Sequence, residues 1–75
     1  MDQARSDEQW GRLREELAAT LEDARWRRLS SAPALAEALR NMDRLTSPHY
    51  RERAARRLRK VLDEYALTFG RHYTH

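Results

Sequence analysis

The stretch 48-PHYRERAARRLRKVLDEYALTF-69 decides the fold of this 75-residue chain. Tyr50, Ala54, Leu58, Val61, Leu62, Tyr65 and Phe69 recur at spacings of three and four, so at about 100° per residue they form one stripe on a long helix. Arg53, Arg56, Arg57 and Lys60 project from roughly the opposite side. Ser47 is placed to act as an N-cap, and Pro48 suits the first helical position. Gly70 stands where a left-handed residue ends a helix.

Upstream, the same period recurs twice. Leu35, Ala38, Leu39, Met42 and Leu45 form the stripe of a helix over 32–45, with Ser31 as cap and Pro33 tolerated in the first turn. Thr46-Ser47 ends it, because a residue preceding proline avoids the helical region. Trp10, Leu13, Leu17, Leu21 and Ala24 hold one face of a helix over 7–28. Ser6-Asp7-Glu8-Gln9 reads as a capping box at its start, and Arg25, Arg27 and Arg28 offset the negative end of its dipole. Residues 1–5 and 71–75 are expected to fray. With one Val, no Ile and four Thr there is no strand pattern, and no repeat is visible. The expectation is an all-α three-helix bundle, residues 1–75 as one domain, running up, down and up through short connections.

Composition narrows the rest. A chain this short buries only about 60–65% of the surface its unfolded form exposes. It has no cysteine, which excludes disulfides and thiolate metal sites. Helix packing or self-association must supply the stability. The first residues, MDQARSDE, are polar, and no apolar run approaches the ~18 residues of a membrane span. A soluble cytoplasmic protein without membrane contact is expected.

The net charge of +3 is unevenly spread. Residues 1–24 carry three arginines against seven acids, and residues 25–60 carry eleven cations against three acids. Such polarity attracts an acidic partner, nucleic acid included, but it also lets an acidic first helix lie against a basic third one. Fourteen of the fifteen cations are Arg, which alongside abundant Ala and Leu reads as GC-rich coding as readily as selection for phosphate contacts.

Helix length carries the sharpest expectation. At 1.5 Å per residue, outer helices of ~22 residues are about 33 Å long and a middle helix of ~14 is about 21 Å. Two tight turns would leave Trp10 and Leu13 bare at one pole and Leu62, Tyr65 and Phe69 bare at the other. Burying a large apolar side chain is worth roughly 1.5–3 kcal/mol, so a second copy related by a two-fold axis is expected to cover them. Trp26 lies about 160° from Trp10 on the helix and is flanked by arginines. It is either a further interface anchor or the point where the chain folds back under the next turn. Leu67, also off its helix's stripe, needs no explanation.

Catalytic and metal patterns are missing. Ser47 and His49 are neighbours, but Ser47 is accounted for as a cap and nothing orients a triad. His72 and His75 share a turn in the expected tail, and neither Glu-x-x-His nor His-Glu-x-x-His occurs. No cofactor, metal or small-molecule substrate is implied. The six cations between Arg51 and Lys60 are the strongest partner signal. Glu52–Arg56, Arg59–Asp63 and Lys60–Glu64 can pair at i,i+4, which leaves Arg51, Arg53 and Arg57. A helix-turn-helix reader fits poorly, since Leu45-Thr46-Ser47-Pro48 has no glycine and Tyr50 is expected to face the core.

The pattern identifies no family. The expected function is that of a small non-enzymatic regulator or adaptor docking onto another protein, as a homodimer, through Trp10, Leu13, Trp26, Leu62, Tyr65 and Phe69. The alternative is a nucleic-acid-associated protein contacting phosphates through Arg51, Arg53, Arg56, Arg57 and Lys60.

Overall fold

The computed structural model describes residues 2–70, and its elements are three helices: α1 (Asp2–Trp26), α2 (Ala32–Arg44) and α3 (Pro48–Phe69). No strand occurs among the described residues. The tail from residue 71, with the His72 and His75 pair, lies outside them.

The α1 boundaries differ from the sequence expectation at both ends. The helix begins at Asp2, so Ser6 lies inside it and not at its N-cap. Nothing in Asp2-Gln3-Ala4-Arg5 breaks a helix, and a capping box stops propagation only where a breaker precedes it. At the other end α1 stops at Trp26, two residues early. Arg28 adopts a left-handed conformation with φ of 57°. Its N–H donates to the Arg25 carbonyl at 3.0 Å, and the Leu29 N–H donates back to the Ala24 carbonyl at 2.9 Å. This 5→2 and 6→1 pair is a Schellman motif, built here without glycine. Leu29 packs against the core, while Trp26 stays outside at 86% exposure. The residue that folds under the turn is therefore Leu29, not Trp26.

Ser31 and Ser47 occupy N-cap positions, but neither hydroxyl makes a capping hydrogen bond. Gly70 ends α3 at a φ of 88°, and its N–H donates to the Ala66 carbonyl at 2.8 Å.

Cross-helix contacts give the topology. Asp7 meets Arg51, Glu16 meets Arg59, the Tyr65 hydroxyl donates to Asp23, and Arg27 reaches the Phe69 carbonyl. The sequence offset stays near 43 throughout, so α1 and α3 run parallel and level from end to end. Arg14 forks onto Asp43 with bonds of 2.7 and 3.1 Å, which sets α2 antiparallel to α1. That bidentate hydrogen bond holds the Asp43 carboxyl below the usual carboxylate range and raises Arg14.

The overhang expected from helix lengths is not there. Two tight turns would have produced it, but the second connection is extended, with Leu45 at φ −81°, ψ 118° and Ser47 at φ −74°, ψ 127°. A three-residue connection extended at both of its ends can carry the chain up to about 10 Å past the end of α2, close to the expected shortfall. Helix α3 thus starts level with the first turns of α1 and finishes level with its last. Trp10, Leu13, Leu17, Leu21, Leu62 and Tyr65 are all buried within one chain, and Phe69 packs against them.

Thr20 is fully buried in this core, where its hydroxyl donates to the Glu16 carbonyl at 2.8 Å. That bond satisfies the donor without a partner helix.

The Schellman turn yields a direct test. Replacing Arg28 by Gly removes the cost of a side chain at positive φ and should gain about 1 kcal/mol. Melting followed by circular dichroism should rise by about 4–8 °C, with Arg28→Ala close to the parent. A lower melting temperature for Arg28→Gly would contradict the left-handed assignment.

Candidate docking groove

Helix α1 packs against both other helices, whereas α2 and α3 hardly touch each other. The apolar stripe of α3 explains why an open space remains. At about 100° per residue, Leu58, Leu62, Tyr65 and Phe69 cluster within about 60° and face α1, while Tyr50, Ala54 and Val61 are displaced toward α2. On α2, Leu35, Leu39 and Met42 point to α1, and Ala38, with Leu45 at the helix's C-cap, is displaced toward α3. The two displaced edges line a cleft of about 770 Å³ whose walls also include Met42 and Leu58. Tyr50 is 58% and Val61 44% exposed, so the expectation that Tyr50 faces the core is overturned.

The polar rim of the cleft is Asn41, Arg44, Arg53 and Arg57, without an acid. Neighbouring acids are engaged elsewhere: Glu37 with Arg40, Asp43 with Arg14, and Glu52 with Arg56. Among the described residues, Arg44, Arg53, Arg57 and Lys60 take part in no ion pair. The Lys60–Glu64 pair that i,i+4 spacing allows is not formed, while Arg59 reaches both Glu16 and Asp63.

A second cleft of about 840 Å³ lies between α1 and α3, around Trp10 and Ala55. Its cations are matched: Arg12 with Glu8, Arg51 with Asp7, Arg56 with Glu52 and Arg59 with Glu16. Nothing there is left over to select a partner by charge.

The sequence-derived interface set is scattered by the fold. Trp10, Leu13, Leu62 and Tyr65 are at most 9% exposed, and the Phe69 ring packs tilted against Tyr65, with centroids 4.7 Å apart, beneath Arg27. Trp26 alone of the set is open, and it does not line the groove. The set proposed for phosphates divides as well. Arg51 is held by three groups: its Nε donates to the Leu45 carbonyl at 2.8 Å, its Nη1 donates to Asp7 at 3.0 Å, and its guanidinium lies 5.3 Å from the Trp10 ring. Arg56 is paired with Glu52, so Arg53, Arg57 and Lys60 remain available.

No helix of the described residues is long and apolar enough to cross a membrane. Among them no group of three His, Asp or Glu side chains is arranged to hold a metal ion. Comparison with protein-family models, with curated proteins and with solved structures finds no match.

The two kinds of arginine should separate in a stability measurement. Arg51→Ala forfeits a charged hydrogen bond to a carbonyl and a cation–π contact, together about 2–3 kcal/mol. Arg53→Ala with Arg57→Ala should stay within about 0.5 kcal/mol of the parent. Urea unfolding of the three proteins reads both, and equal losses would show that the rim arginines also hold the fold together.

Proposed function

We propose that this chain is a small non-enzymatic regulatory or adaptor module that works by docking onto another protein through the face between α2 and α3. The observation that carries the reading is the cleft itself: apolar side chains left open between two helices, bordered by three cations with no acid beside them. Apolar side chains left exposed side by side and bordered by polar residues are one mark of an interaction site. A solvated charged face accounts for the arginines but not for Tyr50 and Val61 lying open between them.

Catalysis has no support on this surface. Ser47 sits at the start of α3, and among the described residues no hydrogen bond joins it to His49, whose ring packs edge-on against Tyr50 at 5.4 Å.

The two-fold dimer expected from bare helix tips has lost its driving force, since those tips are covered. The remaining cleft does not suit a second copy either. An isologous contact sets the same patch against itself, so Arg44, Arg53 and Arg57 would face their own duplicates with no acid between them. A different protein is the better occupant. Phosphate contacts by Arg53, Arg57 and Lys60 are the second reading, favoured by their lack of ion pairs among the described residues but leaving the apolar floor unused.

Photo-crosslinking inside the cells that encode the chain tests the docking face. A benzophenone side chain at Ala38 or Ala54, in the groove, should give one discrete protein adduct that the same group at Arg12, on α1, does not. Adducts to nucleic acid, or equal labelling from all three positions, would reject the reading.

A further inference from the structure

We infer that the α2/α3 groove receives an amphipathic helix of about three turns, apolar on one face and flanked by Glu or Asp, as the fourth helix of a bundle. This rests on the docking reading above and commits it to one kind of occupant.

The shape of the slot argues for a helix. Its α3 wall runs from Tyr50 to Val61, about 16 Å at 1.5 Å per residue, and its α2 wall, from Ala38 to Arg44 and closed by the C-cap Leu45, is about two turns long. Both walls are helical and belong to helices that share α1 as neighbour. A rod laid between them meets one apolar edge on each side, the arrangement by which a fourth helix completes a bundle core. An extended strand would find no edge to pair with, because the groove walls carry no unpaired strand.

Charge fixes the chemistry of the flanks. Arg53 and Arg57 stand one turn apart on α3, and Arg44 closes the α2 side. Glu or Asp on both shoulders of an incoming helix would lie within reach of them, while Lys or Arg there would add like charges to a rim that already lacks acids. The rim therefore selects as well as attracts. Glu64, the next acid on that side of α3, falls beyond Val61 and outside the lining.

Two hydrocarbon-stapled peptides of about 14 residues test this. Both carry leucines at alternating spacings of three and four; one has Glu on the flanks and the other Lys. Fluorescence anisotropy in about 50 mM salt should show the Glu peptide binding at least roughly tenfold more tightly than the Lys peptide. In the Arg53→Glu, Arg57→Glu double variant that preference should invert, with the far-UV spectrum and melting temperature of the protein close to the parent. Val61→Glu, which places an acid on the apolar wall, should weaken the Glu peptide by a similar factor without unfolding the chain. Equal affinity for the two peptides, no binding of either up to millimolar concentration, or a preference unmoved by the charge reversal would overturn the inference. Duplex DNA displacing the bound Glu peptide from the same arginines at lower concentration would overturn it as well. If groove crosslinks to a protein are found while both peptides fail, the docking face stands and the helical occupant falls.

Discussion

Arg51 is the contact on which the arrangement of this chain depends. One guanidinium takes the carbonyl of Leu45 at the end of α2, the carboxylate of Asp7 on α1 and the face of Trp10. It therefore binds the first turn of α3 to both other helices at once. A planar, forked donor can do this, and a lysine ammonium could not satisfy the same geometry while stacking on an indole. With α3 pinned there, the Leu45–Ser47 connection is drawn out, and α1 and α3 lie level along their whole lengths. The later contacts, Glu16 with Arg59 and Asp23 with Tyr65, repeat that register toward the other pole.

The same register determines what is left open. Helix α1 spends its apolar face on both neighbours: Leu17, Leu21 and Ala24 are closed off almost completely. Helices α2 and α3 each turn only part of their stripe toward it, and the remaining part of each borders the cleft. The molecular dimensions of 39 × 24 × 16 Å fit two helices splayed on a third. In a domain this small, Tyr50 and Val61 left in water are a sizeable omission, because each large apolar side chain brought out of water is worth roughly 1.5–3 kcal/mol. Binding a partner would recover it.

Much of this fold is legible in the residues. Three helices, their order and the ends of α3 follow from apolar spacing, Pro48 and Gly70. The start of α1 is not, since Ser6 resembles a cap although nothing before it resists helix formation. The end of α1 is hidden for a different reason: the left-handed position is filled by Arg28, where glycine would have announced it. Bare helix tips are expected only when helix lengths are compared as though both connections were tight. Ser47 before Pro48 already demanded an extended backbone, and the drawn-out connection from Leu45 to Ser47 removes the mismatch. The opening between α2 and α3 is visible in the breadth of the α3 stripe, about 120° from Tyr50 to Leu62, wider than a single neighbour covers. What could not be read from spacing is Arg51's role, because its three partners lie 6, 41 and 44 residues away in the chain.

One copy of the chain covers its own apolar ends. Sedimentation equilibrium between about 1 and 100 µM, with circular dichroism on the same samples, measures it directly. A single species of 8.9 kDa that keeps its helical signal on dilution is the expected result. Twice that mass, or helicity lost as the protein is diluted, would contradict it.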